Sequence, residues 1–166
     1  MKKRNIVLGL LVVCLSACAS TSSLQMVQPM TSRIDAASSA YIDVVSKDTK
    51  YEELSVKLKD ALFAKLISRS VFNRVTANRQ EAVDYTIKVV IESAKEVSGA
   101  QRVWLGVLAG ANKITATVVV KEKGNVVATF IVSAESAMMP ISTQDGLTDA
   151  IREASDKIIS GITNKT

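Results

Sequence analysis

Histidine is absent from the 166 residues, and cysteine occurs only at Cys14 and Cys18. The chain therefore lacks the commonest general base and metal ligand, which excludes Ser-His-Asp catalysis, Cys-His catalysis and histidine-based zinc sites. The acidic residues are scattered and show no calcium-loop spacing. The sequence predicts a protein that is not an enzyme and has no cofactor or metal site.

A three-part export signal opens the chain. Met1–Arg4 is short and cationic, Ile6–Leu15 is almost entirely apolar, and the small residues Ser16 and Ala17 precede Cys18. This order is typical of a signal peptide. The apolar segment is too short to span a membrane, which takes about 20 residues. We therefore expect residues 1–17 to be removed.

The stretch from Leu15 to Cys18 resembles the lipobox of bacterial lipoproteins. The resemblance implies cleavage after Ala17, a diacylglycerol on the thiol of Cys18 and acylation of the new amine, so that the membrane is one partner. Two or more acyl chains give durable attachment. An unmodified Cys18 behind an ordinary secretory signal is the alternative. Ala19, where an aspartate would favour the inner membrane, implies the periplasmic face of the outer membrane; inner membrane and cell surface are the alternatives.

Net charge falls when the signal is removed. The whole chain has 21 basic and 16 acidic residues. Without Lys2, Lys3 and Arg4, 18 basic residues face 16 acidic ones, a net charge of +2. Nucleic-acid binding needs a clustered basic face, so no nucleic-acid partner is expected.

Three segments follow from this reading: a signal peptide at 1–17, a lipidated tether at 18–37 and one periplasmic domain at 38–166. Residues 18–37 are rich in Ser, Thr, Gln and Ala and show no helical or strand periodicity. A flexible chain of that length reaches about 25 Å. The remainder is long enough to bury about two thirds of its unfolded surface in one domain.

Hydrophobic periodicity predicts seven elements in the order β-α-β-β-β-β-α. Strands alternate apolar and polar residues, with Val126 assigned to the buried face of the last one. The predicted fold is α+β, an α/β two-layer sandwich with a mixed sheet of about five strands and two amphipathic helices on one face. The elements are a strand at 39–46, a helix from a Thr49–Glu52 capping box to about 70, strands at 71–76, 83–97, 113–121 and 126–135, and a helix from a capping signal at 142–145 to about 163.

The connection at 99–112 joins two strands, is long and apolar, and carries the chain's single tryptophan. One interpretation is a loop that contacts a membrane or a partner through Trp104, Leu105 and Leu108, with Arg102 at the rim. The other is a core lid or strand extension with Trp104 packed inside. The pattern alone leaves both open.

The sheet face away from the helices is the second candidate surface. It combines threonines, charges and a few aliphatic residues, which suits either a solvated face or a protein-binding one. Its predicted residues are Thr86, Lys88, Val90, Glu92, Thr115, Thr117, Val119, Lys121, Thr129 and Ile131.

The second half of the chain contains the segment from Arg102 to Gly110, the Thr115–Thr117 strand, the Gly-Asn turn, and the strand that ends near Ser136 before a final helix. These features resemble the bacterial lipoproteins grouped as domain of unknown function 4410. The resemblance covers about 41–162 and implies no specific activity. The order of elements is also similar to that of periplasmic modules of envelope-assembly lipoproteins, an analogy of fold alone.

Together these features predict a lipid-anchored envelope lipoprotein that acts as an interaction or assembly module at the outer membrane, with an envelope protein as partner. The alternative is a periplasmic carrier of a small ligand or lipid, which would need a cavity between sheet and helices.

Overall fold

The computed structural model describes residues 21–105, 109–136 and 146–163. The predicted signal peptide with Ala17 and Cys18, the residue Leu108 and the capping signal at 142–145 lie outside these ranges. The strands are β1 Thr21–Gln28, β2 Ser39–Ser46, β3 Arg74–Thr76, β4 Tyr85–Lys95, β5 Lys113–Glu122 and β6 Asn125–Glu135, and the helices are α1 Glu52–Ser68, α2 Gly99–Leu105 and α3 Gly146–Thr163.

Within these ranges, six strands form one mixed sheet in the order β1-β6-β5-β4-β2-β3. Strand β2 runs parallel to β3 and β4, whereas the β4-β5, β5-β6 and β6-β1 pairs are antiparallel. Helices α1 and α3 contact each other and pack on the same sheet face. The predicted α+β class and mixed sheet are confirmed. The strand number is corrected from about five to six, and the short helix α2 is added to the order.

Strand β1 corrects the assignment of 18–37 to a flexible tether. It pairs with β6 from Thr21 opposite Glu135 to Gln28 opposite Thr129, and Leu24 and Met26 pack partly buried against the core. Ladder hydrogen bonds to β6 support a strand whose own sequence is mostly Ser, Thr and Gln. Because this support comes from a segment about 100 residues away, local periodicity did not reveal it.

The alternation predicted for β4 and β5 is confirmed, and their inward side chains are buried in the core. The assignment of Val126 is wrong: it is 42% exposed, and Val127 is buried instead. The register of β5 and β6 shifts beside Val120, which lies opposite Ala128 while Lys121 lies opposite Val126. Such a bulge adds one residue to one strand and reverses the side-chain alternation beyond it.

The β5-β6 hairpin turns at Lys123 and Gly124, as predicted. Their φ angles of 48° and 89° are the left-handed pair that a two-residue type I′ turn requires. Glycine adopts this conformation without a steric penalty, so the Lys-Gly-Asn sequence fixes the register with which β6 returns along β5.

The start of α1 is also corrected. Residues Thr49–Tyr51 form a 3₁₀ turn, and α1 begins at Glu52. The side chain of Asp48, not Thr49, accepts the backbone N–H of Lys50, and Asp48 is a strong capping residue type. The apolar stripes of α1 and α3 face the sheet as predicted, except that Ala61 is only partly buried. No helix in the described part of the chain has the length and apolarity needed to cross a membrane.

Candidate functional site

The connection from β4 to β5 contains the short helix α2, begun by a reciprocal pair of hydrogen bonds. The backbone N–H of Gln101 donates to Ser98 Oγ over 3.2 Å, and the backbone N–H of Ser98 donates to Gln101 Oε1 over 3.1 Å. This is a capping box of the Ser-x-x-Gln type. The Ser-x-x-Gln spacing at 98–101 is a local signal from which this helix could be predicted.

Helix α2 presents large apolar side chains to solvent. Trp104 is 87% exposed and Leu105 is 53% exposed. The interpretation of this connection as a core lid with Trp104 packed is therefore wrong, and the interpretation as an exposed contact element remains. Arg102 lies in the same helix. A tryptophan this exposed leaves most of its ring, one of the largest apolar surfaces in proteins, in water.

A buried polar cluster fixes the base of this connection. Asn112 Oδ1 accepts the backbone N–H of Val97 over 2.6 Å, and Ser136 Oγ accepts the backbone N–H of Asn112 over 3.1 Å. The backbone N–H of Ser136 donates back to the carbonyl of Asn112 over 2.9 Å. Asn112 and Ser136 are only 2% and 3% exposed. The exposed helix therefore projects from a base held by buried hydrogen bonds. No local pattern indicates that Asn112 and Ser136 meet, because they are 24 residues apart.

The same end of the sheet carries the start of β1. Thr21 lies opposite Glu135, Glu135 opposite Lys113, and Lys113 opposite Lys95. At about 4.8 Å between neighbouring strands, Thr21 is about 14 Å across the sheet from the residue where β4 ends. Helix α2 begins four positions after Lys95. The connection with Trp104 and the N-terminal end of the described chain therefore share one end of the sheet.

The sheet face opposite α1 and α3 is open, and the predicted outward residues lie on it. Their side chains are partly or fully exposed. One cross-strand row runs from Val45 through Val90, Thr117 and Ile131 to Gln25, so aliphatic side chains lie at the middle of the face. Eight of the ten predicted residues lie on β4 and β5. Strands β1 and β2 widen the face beyond that prediction.

Two Lys–Glu ion pairs lie on this open face. Lys47 forms an ion pair with Glu92, and Thr117 donates a hydrogen bond to Glu92 over 2.9 Å. These two hydrogen bonds, with that from Lys47 the larger cause, hold the pKa of Glu92 below its ordinary value. Lys113 pairs with Glu135 over 2.8 Å. Each pair places opposite charges side by side, whereas Lys88 and Lys121 on the same face are exposed.

Asp84 and Glu135, which have no acidic or basic neighbour of evident function in the sequence, both have partners in the structure. Asp84 Oδ2 accepts both the backbone N–H of Ser39 over 2.9 Å and its hydroxyl over 2.8 Å, and Glu135 is the partner of Lys113. Hydrogen bonding to Ser39, mainly from its backbone N–H, lowers the pKa of Asp84. Among the described residues no group of three or more Cys, Asp or Glu side chains could hold a metal ion.

A surface cavity of about 350 Å³ lies between the start of α1, the end of β4 and the start of α3. It is open and mixed in character, with lysines and glutamates beside a few apolar groups. Its lining residues are Lys50, Tyr51, Glu53, Leu54, Lys57, Ala94, Glu96 and Leu147. The layer between sheet and helices, where a carrier was expected to hold its ligand, is filled by buried side chains of the core.

A protein-family model described as "Domain of unknown function (DUF4410)" matches residues 25–140, more than half of the chain. A comparison with curated proteins finds no match. The match begins at residue 25, inside β1, and so includes the second half of a strand that lies in the predicted tether.

Solved structures with a similar fold have little sequence identity to this chain. The PelC dodecamer from Paraburkholderia phytofirmans matches with a TM-score of 0.60 and 11% identity, over 88% of this chain and 100% of that one. Protein XCC0632 from Xanthomonas campestris, of family model DUF330, matches with a TM-score of 0.52 and 12% identity, over 82% of this chain and 87% of that one. At such identities the likeness concerns the fold alone.

Proposed function

Because the chain belongs to the family described as a domain of unknown function (DUF4410), a description that assigns no activity, we propose its function from its own residues. It is a lipid-anchored lipoprotein of the cell envelope that acts as a non-enzymatic assembly module. Cys18 carries the lipid, and the domain faces the periplasm from the outer membrane. The residue after Cys18 is Ala19, which supports the outer rather than the inner membrane.

The observation that carries the proposal is the open sheet face. Five strands contribute to its central row, and the aliphatic side chains of Val45, Val90 and Ile131 lie in that row. Lys47 and Lys113 pair with neighbouring glutamates, which reduces the charge repulsion between two such surfaces. Aliphatic groups framed by polar residues are the usual arrangement of a protein interface.

A second copy of this chain is the partner that we propose for this face. A face of mixed Thr and aliphatic residues with two internal ion pairs is compatible with itself, as a surface must be in a symmetric pair of subunits. PelC, which has the same fold at 11% identity, was solved as a dodecamer. This supports self-association as a use of the fold without fixing the number of subunits here.

The test is the mass of the full lipoprotein purified in detergent, measured by sedimentation or native mass spectrometry. We expect an oligomer for the wild type and a monomer for Ile131→Lys, since a lysine cannot be desolvated cheaply in an interface. Ile67→Lys is the matched control, because Ile67 is 52% exposed on α1, away from the open face, and should leave the oligomer intact. Thermal melts check that both variants fold.

A monomeric wild type at tens of micromolar, on the order of weak protein affinities, would refute the self-association. So would an Ile131→Lys variant that folds and keeps the wild-type mass.

The second candidate function is a small-ligand carrier, favoured only by the surface cavity beside Tyr51 and Leu54. Its volume is at the lower end of ligand-binding cavities, which span about 300–1,000 Å³. The same native mass spectra discriminate the two functions. A stoichiometric bound small molecule that Leu54→Trp removes would favour the carrier, whereas a bare oligomer would favour assembly.

A further inference from the structure

The position of Trp104 relative to the predicted lipid anchor carries an inference about what α2 contacts. Thr21 already lies in the sheet, and Cys18 precedes it by three residues. Three extended residues span about 10 Å. A lipid on Cys18 therefore holds this end of the sheet within about 10 Å of the membrane surface, much closer than the 25 Å of a long tether.

The helix with Trp104 projects from that same end. The row from Thr21 through Glu135 and Lys113 to Lys95 places the start of β1 about 14 Å across the sheet from the end of β4, and α2 begins four positions after that end. The hydrogen bonds of Asn112 to Val97 and Ser136 hold the base of the connection in place. The connection that carries α2 therefore lies at the end of the domain that a lipid on Cys18 would hold close to the bilayer.

The exposed residues of α2 suit a bilayer surface. Tryptophan is enriched at the level of the lipid headgroups, because its ring is apolar and its indole N–H is a donor. Leu105 adds an aliphatic side chain beside it. On this geometry we propose that Trp104 and Leu105 insert into the headgroup region of the membrane that holds the lipid, as a second attachment point that sets the orientation of the domain. This proposal rests on the proposed lipidation of Cys18.

Two attachment points restrict a domain more than one does. The lipid alone would let the domain rotate about a short linker, whereas contact of α2 with the bilayer holds the strands at a fixed angle to the membrane. The open sheet face is then presented sideways to neighbouring copies in the same membrane.

Trp104 is the only tryptophan, so its fluorescence reports on this site alone. The experiment uses the full lipidated protein in vesicles of phosphatidylethanolamine and phosphatidylglycerol, with and without shallow bromination of the acyl chains. For the wild type in vesicles we expect a blue-shifted emission and a loss of intensity when the acyl chains are brominated. We also expect aqueous acrylamide to quench this emission less than it quenches that of the Cys18→Ser variant in detergent-free buffer. Flotation of the vesicles is measured on the same samples.

A matched control moves the reporter to the other end of the molecule. Helix α1 runs about 25 Å from its start near the end of β2, so Ile67 lies near the end of the sheet opposite to Trp104. Ile67 is also exposed, at 52%. The double variant Trp104→Phe with Ile67→Trp should show strong acrylamide quenching and no effect of bromination.

Each outcome decides between the two proposals. Failure of the wild type to float contradicts the lipid anchor, and with it the membrane contact. Flotation without bromine quenching contradicts the membrane contact and leaves the anchor standing. A blue shift that depends on protein concentration and not on bromination would assign Trp104 to a contact between copies, which also overturns the inference.

Discussion

The side chain of Asn112 accepts the backbone N–H of Val97 over 2.6 Å, joining two ends of a connection 15 residues apart. Both groups are buried. The bond holds together the two ends of the connection that carries α2. Without it, the buried backbone N–H of Val97 would lose this acceptor.

Replacement of Asn112 by alanine should destabilise the protein by about 1–3 kcal/mol, the cost of one buried polar group left unsatisfied. Chemical denaturation monitored by circular dichroism measures the change. Gln25→Ala, at an exposed position of β1, is the control and should change stability by no more than about 0.5 kcal/mol. An Asn112→Ala variant with wild-type stability would mean that the hydrogen bond contributes nothing.

The second prediction concerns Gly161 in α3. A Cβ built at this position would lie 2.7 Å from Leu24 Cδ1 and 2.7 Å from Phe130 Cε2. Gly161→Ala should therefore lower the free energy of unfolding, because overpacking costs about 1–3 kcal/mol and exceeds the helix-propensity gain of about 1 kcal/mol.

Ser160→Ala is the matched control for Gly161, one residue earlier in the same helix and partly exposed. Its melting temperature should stay at or slightly above that of the wild type. If Gly161→Ala is instead stabilised, β1 and β6 do not approach α3 as closely as described.

The third prediction is a pH dependence at Asp84. Its pKa is lowered in the folded state by hydrogen bonds from Ser39, whereas the unfolded value is about 3.9. The carboxylate therefore contributes stability above its ordinary pKa, and the contribution is lost as the pH falls through the folded value. Asp84→Asn should unfold at lower urea concentration than the wild type at pH 7, and the gap should narrow at pH 3.

Ser39→Ala is the companion variant, since it removes the hydroxyl and keeps the backbone N–H. We expect a smaller loss than for Asp84→Asn, with the same narrowing at acidic pH. A gap that is equal at pH 7 and pH 3 would exclude Asp84 as the titrating group.

The central strands were predictable because burial on one face dictates their alternation. Tyr85, Ile87 and Ile114 are buried as their period-two spacing requires. Strand β1 could not be predicted, because its stability comes from pairing with β6, which lies far along the chain. Val126 was misassigned because a bulge reverses the alternation there, and no composition signal marks a bulge without glycine.

The candidate surfaces were partly predictable. The sequence pointed to Trp104 and Leu105 but could not tell exposed from packed, since an apolar connection suits both. Their exposure of 87% and 53% decides that question. The sequence could not show that α2 follows the same end of the sheet where β1 starts, because this depends on the register of four strands.

The most direct test of the lipid-anchored account is mass spectrometry of the N-terminal peptide from protein extracted from membranes. The account predicts a peptide that begins at Cys18 and carries the mass of a diacylglycerol and an acyl chain, while the Cys18→Ser variant keeps its signal or leaves the membrane fraction. A wild-type peptide that begins elsewhere, or an unmodified Cys18 in the membrane-bound protein, would contradict the account.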